Sequence, residues 1–216
     1  MTSTIHILSV PIGNVTKEEA CAFAFKCIEE GRAASIATAN AEMVMRAQSD
    51  EELADILRHA DLVVPDGAGV LWAAEQIGKQ FKERVAGIDL ACRLVGEAAL
   101  RQTPVYFFGG AEGVARDAAA NLEKQVGKLH IVGTHSGFFT DEEEKQIIEE
   151  IRSGGTQLLF VALGVPKQEN GYATTCMSWD PASAWVSAAP WTCCLAVSTG
   201  LRSGCRSTAW NGFTGC

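Results

Sequence analysis

Short apolar runs alternate along this chain with longer stretches whose apolar positions recur at helical spacing. Residues 5–10 read as a first strand, with Gly13-Asn14 as a turn. Thr16 and Glu19 carry the capping-box signature, which predicts a helix from Lys17 to about Glu30 that stops at Gly31. Residues 34–37 form a weak second strand, and Ser49 with Glu52 boxes a helix over 50–59. Leu62, Val63 and Val64, bounded by Pro65, read as a buried strand followed by an apolar helix over 70–77. A helix over 88–100 leads to an aromatic-rich strand, 105–108, closed by Gly109-Gly110. A helix over 112–126, a strand over 129–132, a helix boxed by Thr140 and Glu143 and running to Arg152, and a strand over 158–163 complete the readable pattern.

Strands alternating with helices of about ten or more residues imply an α/β fold, a Rossmann-like, mostly parallel sheet with helices on both faces. In such a sheet the loops after the strands share one edge, and ligands bind there. Those loops carry Thr38 and Asn40, Asp66, Gly109-Gly110, His135 and Lys167-Gln168. The stretch from Ala60 to Asp89 organises the rest, because it puts a carboxylate, Asp66, at the end of a buried strand where a helix begins.

Composition narrows the classes. The formal charge of −8 and a pI near 5.0 argue against a general nucleic-acid binder. The N-terminus lacks the basic flank of a signal peptide, and no apolar run approaches the roughly 18–20 residues of a membrane span. The expectation is a cytoplasmic protein, with surface attachment to a membrane left open. Of the eight cysteines, Cys21, Cys27 and Cys92 fall in helical patterns as small core residues, and five follow Asn170 with no C-x-x-C pair.

Each candidate group has a plain structural alternative. Asp66 is a general base, a ribose ligand or the N-cap of the next helix. Thr38 and Asn40 hydrogen-bond a substrate, or cap a helix starting at Ala41. Gly109-Gly110-Ala111-Glu112-Gly113 offers backbone N–H groups to a phosphate or forms a tight turn, and it matches neither G-x-G-x-x-G nor a Walker loop. Lys82 and Arg84 pair with phosphate or belong to a solvated loop. His135 is catalytic or structural. The acids over 141–144 suit the first turn of a helix. No D-x-D or His/Cys cluster is at hand for a metal with nucleotide phosphates.

Together the motifs PDG-x-G, KERVAG-x-D, YFFGG, G-x-x-x-GFF and LGVPKQE resemble, in order and approximate spacing, the WecG/TagA/CpsF glycosyltransferase family over residues 5–169. The resemblance implies an inverting, metal-independent transferase without a cofactor. Its donor would be a UDP-sugar carrying N-acetylmannosamine or a related sugar. Its acceptor would be undecaprenyl-diphosphate-linked N-acetylglucosamine at the inner membrane face, in teichoic acid or surface polysaccharide synthesis. It also implies roles: Asp66 as the base with Thr38 beside it, Asn40 and Gly67 lining the same pocket, Arg84 stabilising anionic charge, Gly109 and Gly110 approaching the diphosphate, and Gln168 facing the sugar. No nucleic acid is implied, and a homo-oligomer stays open. The competing classes are a nucleotide-sugar-binding protein without catalysis and another α/β enzyme such as a nucleotide hydrolase.

After Glu169 the motifs stop and the composition changes: no lysine follows Lys167, and Asp180 is the one acid. Four of the five tryptophans lie in this tail. Disordered segments carry charge and few aromatics, so disorder does not explain it. Permitted codons for GCRSTAWNGFTGC, read one base earlier, spell WMQKHGLEWFYRL, a string resembling the end of the family's core. The expectation is a family domain over 1–169, incomplete at its C-terminus, and an out-of-frame tail over 170–216. The GVGG-x-x-D stretch and basic appendage of the family would then be missing, and the chain as written would transfer sugar poorly.

Overall fold

The computed structural model describes residues 3–162 and 184–187. The chain opens with an antiparallel hairpin, β1 (Thr4–Ile7) and β2 (Val10–Gly13), rather than the single strand over 5–10 that the apolar run predicts. Leu8 takes a positive φ of 52° and turns the chain without a glycine, so no turn residue announces the hairpin. Ile5, Ile7, Val10 and Ile12 all stay buried.

Helix α1 (Lys17–Glu29) then leads to β3 (Ala34–Ala39), α2 (Ala41–Arg46), α3 (Glu51–His59), β4 (Leu62–Pro65) and α4 (Ala68–Gln76). After a loop come α5 (Gly87–Arg101), β5 (Val105–Gly109), α6 (Val114–Val126), β6 (Ile131–His135), α7 (Asp141–Ser153), β7 (Leu158–Ala162) and β8 (Ala184–Ser187). The six later strands form one sheet in the order β4-β3-β8-β7-β5-β6, every neighbouring pair parallel.

A parallel sheet is covered on both faces, and β4, β5 and β7 are accordingly buried along their whole length. On one face Ile36, Val64, Val105, Phe107 and Phe160 pack against α1, α5 and α6. Phe107 and Phe160 stack at 5.2 Å, locking β5 to β7. On the other face Ala37, Ala39 and Val63 meet the hairpin, α2, α3 and α4. Farther along that face Tyr106, Phe108, Leu159 and Val161 meet Ile147 and Ile151 of α7.

Two of the three predicted capping boxes are present, Thr16 with Glu19 on α1 and Thr140 with Glu143 on α7. At α3 the cap is Asp50, whose side chain accepts from Leu53 N, and not Ser49, whose hydroxyl donates to Arg46 O. β6 sits later than 129–132 because it is an edge strand, half-buried throughout and without the alternation that marks register. β8 lies in a stretch where no strand pattern is readable, yet its backbone pairs with β3 and β7 at the centre of the sheet. The remainder of the predicted tail, 170–183 and 188–216, lies outside the described residues.

Gly109 closes the β5–β7 seam with a φ of +130°, and a Cβ there would stand 2.2 Å from Ala162 O. Gly109→Ala should therefore destabilise the fold by about 3 kcal/mol or more. Gly31→Ala, at φ +62° with nothing within 4 Å, should cost about 1–2 kcal/mol. Urea denaturation midpoints of the two variants measure the difference, and similar midpoints would show that the seam tolerates a methyl group.

Candidate functional site

Thr38, the next-to-last residue of β3, is buried and stands opposite Val64 of β4. The alternation of a strand puts Thr38 on the same face as Ile36, toward α1 and α5. Asn40 follows at the end of β3 and caps α2, its Oδ1 accepting from Met43 N at 2.9 Å. The structural alternative for Asn40 is thus present, while its position keeps it at the site's edge.

Asp66 extends the β3–β4 ladder by one bond, donating its backbone N–H to Ala39 O at 2.9 Å. It does not cap the helix that follows. Gly67 holds that position, with a φ of 87° that suits glycine and no side-chain cap bond. The Asp66 carboxylate instead reaches across the chain: its Oδ2 accepts from Gly87 N at 3.2 Å. Gly87 is the first residue of α5, and the N-cap Ala86 supplies no side-chain acceptor. The carboxylate thereby sits at the positive end of a helix whose first N–H groups lack intrahelical partners. A second bond, Val85 N to Pro65 O at 2.9 Å, pins the KERVAG loop beside it.

Burial pushes the Asp66 carboxyl above the ordinary aspartate range, and the opposing pulls of the Gly87 N–H and the Arg84 charge do not overcome it. Asp89 adds a smaller upward push. A carboxylate tuned upward at the open edge of a sheet has the properties a general base needs. Of the loop's two cations, exposed Arg84 acts on Asp66 through its charge. Lys82 is committed elsewhere: its Nζ pairs with Glu19 at 2.8 Å and its N–H with Asn14 Oδ1 at 2.7 Å, docking the loop on α1.

Gly109 and Gly110 lie on the same edge but not beside Asp66. With β3, β8 and β7 between β4 and β5, strand spacing separates them by roughly 19 Å. The Gly110 N–H donates to Ala162 O at 2.9 Å, and Gly110 O accepts from Gly137 N at 2.8 Å. That amide is therefore occupied by the seam, which leaves anion contact to the amides at the start of α6. This helix has Gly113 as its N-cap and no side-chain cap. His135 belongs to an aromatic cluster, edge-on to Phe108 at 6.0 Å and to Phe139 at 6.5 Å, with Nδ1 2.9 Å from Ser136 O.

Two participants escape residue-by-residue reading. Gly87 holds the Asp66 carboxylate, and its only trace in the sequence is a helix start without a capping side chain. Phe138 is 73% exposed on the loop that bonds to Gly110. Its trace is the doubled phenylalanine of the G-x-x-x-GFF motif, and its open ring offers a flat apolar face to a planar ligand. Gln168 lies outside the described residues. Thr38, Asn40, Asp66, Gly67 and Arg84 are thus brought to one end of the sheet, with Gly109 and Gly110 farther along the same edge.

Comparison with known proteins identifies what the chain is similar to. The model of the glycosyl transferase WecG/TagA/CpsF family matches residues 5–187, running past Glu169 to the end of β8. The N-acetylglucosaminyldiphosphoundecaprenol N-acetyl-beta-D-mannosaminyltransferase of Bacillus spizizenii is 31% identical over 142 residues, 66% of this chain. The chain spans about half, 54%, of that relative's length.

The raised pKa of Asp66 has a thermodynamic sign. The folded state holds the proton more tightly than the unfolded state, so this group favours folding below the ordinary aspartate range. That advantage is lost as pH rises through the folded-state pKa. Asp66→Asn keeps an acceptor for Gly87 N–H and removes the buried charge. Its Tm should exceed that of the parent at pH 8, and the gap should narrow toward pH 4. A gap that widens on acidification would reverse the assignment.

Proposed function

Because the chain belongs to the WecG/TagA/CpsF family of glycosyl transferases, we propose that its sheet edge carries out an inverting sugar transfer. The donor is a UDP-sugar bearing N-acetylmannosamine or a close relative. The acceptor is undecaprenyl-diphosphate-linked N-acetylglucosamine, as the name of the Bacillus relative describes for that protein. The product would enter teichoic acid or surface polysaccharide synthesis. The observation that carries the reading is Asp66, a carboxyl raised by burial at the open end of β4 and oriented by Gly87 N–H.

In this mechanism the Asp66 carboxylate takes the proton from an acceptor hydroxyl. The oxygen attacks the sugar C1 from the side opposite the diphosphate. The new C–O bond forms as the bond from C1 to the phosphate oxygen breaks, and UDP leaves with the electron pair. Thr38, Asn40 and Gly67 border the acceptor and sugar, and Arg84 approaches the developing negative charge with a planar fork of donors. Gly109 and Gly110 let the backbone turn closely under the nucleotide, while the start of α6 faces its phosphates. Gln168, in the PKQE motif, would complete the sugar pocket.

Among the described residues no helix is long and apolar enough to cross a membrane. The reading therefore has the protein meet its lipid-linked acceptor from the inner membrane surface. It retains the frame argument: the chain as written lacks the family's nucleotide-pocket stretch after PKQE and transfers poorly, whereas a frame-restored chain transfers well.

In the frame-restored chain, Asp66→Asn should lower the transfer rate by about 10²–10⁴-fold, while UDP affinity, read by calorimetry, stays within a few fold. A parallel loss of UDP affinity would make Asp66 a ligand instead of a base. UDP release without acceptor at the same rate as with it would favour a hydrolase. Equal transfer by the chain as written and the restored chain would overturn the frame argument.

A further inference from the structure

Outside the catalytic edge, four exposed apolar side chains on three elements face a common groove. Leu8 at the hairpin turn is 62% exposed, Met45 on α2 63%, and Trp72 and Ile77 on α4 63% and 55%. The groove has a volume of about 420 Å³, and His6 is the single polar side chain among the residues that line it. Scattered apolar residues on a surface need no explanation, but a contiguous apolar cleft does.

The position of the groove identifies its occupant. Ala41 and Gly69 line its head. Ala41 directly follows Asn40, and Gly69 stands two residues beyond Gly67 and three beyond Asp66. The two helices touch here: a Cβ on Gly69 would lie 2.8 Å from the Ala41 Cβ. From this contact the groove runs along α2 and α4 to Met45 and Ile77, away from the sheet edge. A peptide laid in it would leave its backbone N–H and C=O groups facing walls with almost no hydrogen-bonding capacity, which is costly. A hydrocarbon chain has no such groups, and the volume falls within the roughly 300–1,000 Å³ of ligand pockets.

We propose that this groove receives the first isoprene units of a polyisoprenoid diphosphate, whose diphosphate rests near Asn40 and Gly67 so that a sugar it carries reaches Asp66. The inference rests on the transferase reading for the identity of the head group, and it adds the site for the tail. It separates two functions on one edge: Asp66 acts on the sugar, while Leu8, Met45, Trp72 and Ile77 select an acceptor by its chain.

Farnesyl diphosphate carrying a diazirine on its terminal isoprene tests this without requiring sugar transfer. Photolabelling of the full chain should modify peptides containing Leu8, Met45, Trp72 or Ile77. Affinity for farnesyl diphosphate should exceed that for dimethylallyl diphosphate by tenfold or more. Trp72→Ser and Met45→Ser, both at exposed positions, should each reduce farnesyl diphosphate binding at least fivefold and leave the melting temperature and UDP affinity unchanged. Labelling elsewhere, or binding insensitive to both substitutions, would overturn the proposal. So would a sedimenting dimer that Met45→Glu dissociates and farnesyl diphosphate does not, because the groove would then be occupied by a second copy. Groove labelling together with no sugar transfer by the frame-restored chain would uphold the tail site and refute the transferase reading. Transfer without chain-length preference would do the reverse.

Discussion

The hydrogen bond from Gly87 N–H to the Asp66 carboxylate is the constraint on which the candidate site at the end of the sheet depends. It joins the end of β4 to the start of α5, closing a loop whose other end is docked on α1 through Lys82. With Val85 N–H on Pro65 O, it brings Arg84 to the same end of the sheet as Asp66. Burial and the helix end pull the carboxyl in opposite directions. Burial wins, so the proton affinity rises, while the helix end keeps the ionised form available. Without the Gly87 N–H the carboxylate would lose its anchor, and without burial its proton affinity would fall back toward the ordinary aspartate range.

This arrangement opposes stability and reactivity at one residue. The ionised, partly desolvated Asp66 disfavours the folded state at neutral pH, and the surrounding packing offsets it. The α1, α5 and α6 layer behind the site is rich in alanine, including Ala20, Ala24, Ala91, Ala98, Ala115 and Ala118, all buried. Such small residues bring helices close to the sheet and hold the loop ends in a narrow range of positions. The edge itself can then carry strained glycines and an uncomfortable charge.

The features legible in the sequence are those whose physics is local. Capping boxes need only residues three apart, and two of the three appear where the pattern puts them, while at α3 the adjacent Asp50 takes the cap from Ser49. The apolar runs of β4, β5 and β7 announce strands because parallel strands are buried on both faces. Asp66 and Asn40 were visible as residues at strand ends, but not what they bond. Asp66 meets an amide 21 residues away, and the Gly110 amide is taken by Ala162, pairings that only the closed fold creates. The hairpin turn was hidden because Leu8 adopts a conformation that its side chain does not advertise. β6 was displaced because a half-buried edge strand has no alternation to read.

The place of β8 bears on the order in which the molecule is made. It follows every other described element in sequence yet lies between β3 and β7. Until residues 184–187 have left the ribosome, the nascent chain holds two partial sheets, each with an open parallel edge. Open edges recruit other strands, so synthesis passes through an interval of exposure to aggregation. Asp66 rests on one partial sheet and Gly109 with Gly110 on the other. The site therefore acquires its span in a single late event, when the last described strand zips the halves together.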